Sequence, residues 1–148
     1  MKRDEVYVSM KAVQTHWHAA KASATYFYGV CKDNPTHIEN KSGFSLKDIR
    51  DCVNDLEDTY LIRAYAVFET TLRDYWQVCI RRTHPPAETL INRLASRCAA
   101  LADELKGVHA VREYRNWLVH GGAAPAKVAM AEGKSYMCKF LRNLPSSW

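Results

Sequence analysis

An arginine and a histidine five positions apart set a permanent cation near a proton-transfer group, in Arg115-Asn116-Trp117-Leu118-Val119-His120-Gly121. Such a pair suits chemistry at a phosphate: a guanidinium stabilises negative charge, and an imidazole exchanges a proton near neutral pH. The arginine is oddly placed for a surface residue. Leu101, Leu105, Val108, Val111, Leu118 and Val119 recur at helical spacing and define one apolar face. At about 100° per residue, Arg115 falls in the middle of that face, bracketed by Val111 and Leu118. A guanidinium there calls for an anion, either a carboxylate of the protein or a phosphate of a ligand.

The neighbours extend the pattern. Asn116 and His120 are four apart and adjacent on a helix surface, with Arg112 one turn further back. An amide beside an imidazole can fix its tautomer and orientation, as proton transfer requires. Arg112 reads either as a phosphate clamp or as an exposed charge. Positions five apart lie about 140° round a regular helix. Arg115 and His120 therefore converge only if the helix loosens before Gly121, if the long side chain reaches round, or if a second subunit completes the site. The plain alternatives stand beside these readings: a histidine in a last turn is favoured by the helix dipole, and Arg115 can anchor the fold by pairing with Glu69. Glu69 sits among Tyr65, Leu72 and Trp76 on a partly apolar surface. It either pairs with Arg73, four residues on, worth a few tenths of a kcal/mol, or crosses the bundle to hold Arg115.

Arg115-x4-His120, with Asn after the arginine and Gly after the histidine, resembles the Arg-x(4–6)-His signature of HEPN domains. The order of elements is similar too: a long helix carrying Phe68-Glu69-Thr70-Thr71-Leu72-Arg73, the motif helix, and a final helix ending Phe140-Leu141-Arg142-Asn143-Leu144-Pro145. Together they cover roughly residues 45 to 145. The resemblance implies a small all-helical bundle of the kind found in prokaryotic toxins, phage-defence proteins and RNA-processing enzymes. It implies a metal-independent endoribonuclease, active as a homodimer, that leaves 2′,3′-cyclic phosphate and 5′-hydroxyl ends. Arg115, His120 and Asn116 would be its catalytic residues, Glu69 and Arg73 would support them with Glu69 on Arg115, and Arg112 would bind RNA. No cofactor and no metal are expected, and a cognate antitoxin or other regulatory protein is an expected partner. Some family members carry a modifiable tyrosine two residues after the histidine; here that position is Gly122. The other reading is a non-catalytic helical module that binds RNA or protein.

The chain as a whole fits one such domain, residues 1–148. Its 148 residues suffice for a single core, and 47% hydrophobic with 25% charged residues is a globular balance. No apolar run is long enough to cross a membrane, and Met1-Lys2-Arg3-Asp4-Glu5 precedes no apolar stretch of a secretory signal. Five scattered cysteines (31, 52, 79, 98 and 138), without a Cys-x-x-Cys pair, argue for reduced, buried thiols in a cytoplasmic protein, with no disulfide framework or zinc cluster. A net charge of +5 favours a polyanionic partner.

Periodicity predicts an all-α bundle of four to five helices. Met10, Val13, Trp17, Ala20, Ala24, Phe27 and Cys31 mark a first amphipathic helix, stopped by Asp33-Asn34-Pro35 before a polar loop to Ser45. Ser45 with Asp48 caps a second helix whose stripe is Val53, Leu56, Tyr60, Ala64, Phe68, Leu72, Tyr75 and Cys79, running to about Arg82 over roughly 50 Å. Pro86 opens a third, directed inward by Leu90, Leu94, Cys98 and Leu101. A break near Asp103 to Gly107 precedes the motif helix, Gly121-Gly122 ends it, and Pro125 opens the last helix. Trp17, Trp76 and Trp117 read as core or interface residues. His16 and His18, two apart, make a poor metal pair, and His37, His84 and His109 lack partners at ligand spacing. No Gly-rich phosphate loop is present.

Overall fold

Capping and apolar periodicity together account for five helices in a computed structural model that describes residues 2–36 and 43–148. They are α1 (Arg3–Asp33), α2 (Leu46–Cys79), α3 (Ala87–Arg97), α4 (Ala102–His120) and α5 (Met130–Leu141). The described residues form an all-α bundle, and none of its helices is long and apolar enough to cross a membrane. Of the expected loop from Asn34 to Ser45, residues 37–42, with His37 among them, lie outside the described residues.

Two stop-start signals hold as expected. Asn34 ends α1, and Ser45 caps α2 reciprocally with Asp48: the Asp48 N–H donates to Ser45 Oγ at 3.2 Å and the Ser45 N–H to Asp48 Oδ2 at 2.8 Å. The pairing holds the Asp48 carboxyl below its usual range, the Ser45 hydroxyl first among the causes.

The second helix is the spine. It packs along α1 as an antiparallel hairpin and touches α3, α4 and α5. Leu61, Ala64, Tyr65, Phe68 and Leu72 are buried on it, and Phe68 meets Phe140 of α5 edge-on, ring centres 5.8 Å apart. At about 51 Å, α2 outruns the roughly 28 Å of α4. The expected stripe therefore splits: Val53, Leu56 and Tyr60 are half-buried, Cys79 is exposed, and Phe27 of α1 is exposed. Beyond the main core the hairpin closes on a small cluster of Cys31, Ile49, Tyr28 and Leu46. Of the five thiols only Cys31 is buried; Cys52 and Cys79 are exposed and Cys98 and Cys138 half-buried. Cysteine's preference for interiors is overridden wherever its helix face meets solvent.

Small residues and polar pins fix the motif helix. A β-carbon on Gly107 would collide with the Tyr136 ring, and one on Gly133 would come within 2.6 Å of Leu61 Cδ1. Gly107 thus lies inside α4, which begins at Ala102, and is kept for close packing; the expected break there is absent. Buried Glu104 accepts from the Leu101 N–H at 3.3 Å and from Asn143 Nδ2 at 2.7 Å. Tyr114 donates its hydroxyl to Asp58 of α2 at 2.9 Å. Glu57, next to it, accepts the Met130 N–H at 3.0 Å and so caps α5 from another helix. That cap sets the start of α5 at Met130, five residues past the expected Pro125. Leu101 is exposed because it precedes the first turn of α4, and Gly121 (φ +75°) ends the helix in a conformation suited to glycine.

Candidate functional site

The motif helix presents its chemistry on two sides. His120 is exposed in the last turn, and it shares an open cleft of about 430 Å³ with Glu113, Asn116, Trp117, Gly121, Ala123 and Pro125. Glu113, Asn116, Trp117 and His120 follow the i, i+3, i+4, i+7 spacing that places residues on one helical face. Arg115 is not among the residues lining the cleft, as the 140° offset requires.

Arg115 turns inward and is half-buried. Its guanidinium carbon lies 5.7 Å from the centre of the Tyr65 ring on α2, a cation–π distance. Nη1 donates to Asn116 Oδ1 at 3.0 Å, while buried Nε has no acceptor among the described residues. The expected carboxylate partner is absent: no ion pair to Arg115 occurs among the described residues. Glu69 is committed elsewhere. Its Oε1 accepts from Arg73 Nε at 3.0 Å and Nη2 at 2.5 Å, and Arg73 Nη1 reaches the Pro85 carbonyl at 3.0 Å. Of the two readings of Glu69 the local one is found, because a partner one turn away on the same helix needs no reach across the bundle. An aromatic face and an amide take the place of the anion.

The predicted roles of Asn116 and Arg112 change accordingly. Asn116 has its carbonyl oxygen on Arg115 and lines the cleft beside His120; among the described residues no hydrogen bond joins the two and none engages the Asn116 NH₂. Arg112 is neither a free clamp nor an exposed charge. Its side chain is only 15% exposed and pairs with Glu88 at 3.2 Å and Glu113 at 3.8 Å. The hydroxyl of Tyr65 is buried in this cationic neighbourhood without a hydrogen-bond partner among the described residues, and its pKa is pushed up to about 12, burial leading and Glu69 adding to it. Burial, helped by the charge of Arg112, holds the His109 imidazole below its usual value, with its Nε2 2.8 Å from Asn92 Oδ1.

The structure thus brings together Arg115 with Asn116, and Asn116 with His120 across one cleft; Arg112, Glu69 and Arg73 sit on the inner side. Glu113 was missed by the sequence reading. It adds a carboxylate to the histidine's cleft, and its spacing of seven from His120 was the available signal. Trp117 forms a wall of the same cleft and stacks on Tyr114, ring centres 5.6 Å apart. Two proton-exchanging groups, an amide and an aromatic surface in an open cleft can hold a nucleotide and move a proton at it. Among the described residues, no group of three or more His, Cys, Asp or Glu side chains is placed to hold a metal ion. No family model, no curated protein and no solved structure matches this chain.

Proposed function

We propose that this chain is a metal-independent endoribonuclease of the HEPN type, working as a homodimer in a toxin or phage-defence setting. The observation that carries the reading is the relay from Arg115 through Asn116 to the cleft that holds His120. His120 acts as general base on a 2′-hydroxyl or as general acid at the leaving 5′-oxygen. Attack of the 2′-oxygen on phosphorus breaks the bond to the 5′-oxygen and leaves a 2′,3′-cyclic phosphate and a 5′-hydroxyl. The nucleophile belongs to the RNA, so the reaction needs no metal-generated hydroxide. Asn116 donates its NH₂ to a phosphate oxygen. Arg115 stands behind that amide and outside the cleft: it donates to Asn116 Oδ1 and so holds the NH₂ toward the phosphate oxygen. Pairing of two motif helices about a two-fold axis would double the cleft and supply a second set of these groups. A cognate antitoxin or regulatory protein then covers the dimer's clefts.

The inward turn of Arg115 favours one other reading, a non-catalytic helical module that binds RNA or a protein. The two separate cleanly. Incubation of a mixed RNA pool with the protein in EDTA yields cyclic-phosphate ends if the first holds, whereas intact RNA alongside folded, dimeric protein supports the second.

A further inference from the structure

A second cleft, remote from the motif, is lined by arginines that no carboxylate pairs with among the described residues. Trp76 and Arg81 at the end of α2 face Asn92, Arg93, Ser96 and Arg97 of α3 across about 730 Å³. The third helix is divided lengthwise: Leu90, Ile91, Leu94 and Ala95 are buried, and the residues between them form the cleft wall. Arg81, Arg93 and Arg97 are exposed, and among the described residues none pairs with a carboxylate. The sequence explains why. Residues 75–102 contain four arginines and one acid, Glu88, which is taken by Arg112. A neighbouring groove adds Arg82 and His84.

We propose that this cleft binds the phosphate backbone of an RNA strand several nucleotides away from the position held at His120. The proposal rests on the nuclease reading for what lies at His120, and on the cleft's own charge for its ligand. Arg93 and Arg97 lie on α3 about 6 Å apart along its axis, and Arg81 follows the end of α2. That spacing suits successive phosphates of a chain better than one small anion. The guanidinium of Arg93 lies 5.9 Å from the centre of the Trp76 ring, which occupies the aromatic face that a base would stack on. Asn92 and Ser96 offer neutral polar groups for phosphate or sugar. The cleft therefore holds backbone and not base edges, so its contribution is independent of sequence. Distance fits a single strand reaching both places. Asn92 touches His109, and His109 to His120 is about 16 Å along α4, the length of about five stacked nucleotides.

The test uses a fluorescein-labelled twelve-nucleotide RNA with 2′-O-methyl groups, which cannot be cleaved, so binding is read whether or not the protein is a nuclease. Arg93→Gln with Arg97→Gln should weaken anisotropy-measured binding roughly tenfold at 100 mM salt and lower the slope of log K against log salt by about 1.4. A second pair, Arg81→Gln with Arg97→Gln, leaves Arg93 on Trp76 and should behave alike, which separates lost charge from any unfolding at the tryptophan. Cleavage of a dinucleotide, too short to reach the cleft, should be unchanged in both variants while cleavage of long RNA falls. Unchanged affinity and slope overturn the cleft proposal even if wild type cleaves RNA. Failure of wild type to cleave, with arginine-dependent binding intact, removes the nuclease reading and leaves the cleft standing. Failure of wild type to bind the methylated RNA overturns the cleft proposal, and the nuclease reading is then decided by cleavage alone.

Discussion

Two groups of arginines in this molecule are handled in opposite ways. Arg73, Arg112 and Arg115 lie against the inner side of the motif helix and are held by Glu69, by Glu88, and by Tyr65 with Asn116. Arg81, Arg93 and Arg97 face an open cleft with no carboxylate on any of them among the described residues. A guanidinium that loses water must find partners inside the protein, and those partners then hold it still. One that keeps its water remains free to exchange counterions for phosphates. The first group arranges and the second recruits.

The largest expected effect that separates them is on turnover. Arg115→Ala should lower RNA cleavage about 10²-fold by letting Asn116 shift and cost about 1 kcal/mol of stability through the lost contact with Tyr65, read by single-turnover kinetics and urea unfolding. The same stability measurement on Arg97→Gln should show a change within about 0.5 kcal/mol, as for other exposed positions. A destabilised Arg97→Gln protein would break the distinction.

Smaller effects probe the inner group alone. Tyr65→Phe removes a buried hydroxyl that has no partner among the described residues, so it should raise the melting temperature by about 2–4 °C, the equivalent of about 1 kcal/mol. A fall would mean that the hydroxyl is bonded within the cationic cluster. Glu69→Gln should cost less than about 1 kcal/mol and leave cleavage largely intact, since its partner is Arg73; a loss as deep as that of Arg115→Ala would restore the cross-bundle pairing.

The smallest effect is a pH dependence. Burial and Arg112 lower the pKa of His109 in the folded protein from 6.5. The unfolded chain takes up that proton first, so this residue's contribution is full above pH 6.5 and declines as pH falls toward the folded value. The urea midpoint should drop less between about pH 7.5 and about pH 5.5 in His109→Gln than in wild type.

The helices were largely legible because caps and apolar spacing are local: Ser45 with Asp48, Asn34 and Gly121 each mark an end that the fold keeps. What was not legible depends on neighbours far along the chain. The start of α5 is set by Glu57, and Gly107 belongs inside a helix because Tyr136 lies against it. In the candidate site, the 140° offset placed Arg115 and His120 on different sides as found. The partner of Arg115 was missed because an aromatic ring leaves no charge signature at helical spacing. The arginine cleft was missed because Arg81 and Arg97 come to line one cleft only when α3 folds back on α2.

His120→Ala, tested for single-turnover cleavage of RNA in EDTA with its fold checked by thermal unfolding, bears most directly on the central claim. The imidazole is exposed, so the variant should melt with wild type while cleavage falls by about 10²-fold or more. Cleavage at the wild-type rate by the folded variant would contradict the claim that this cleft carries the chemistry.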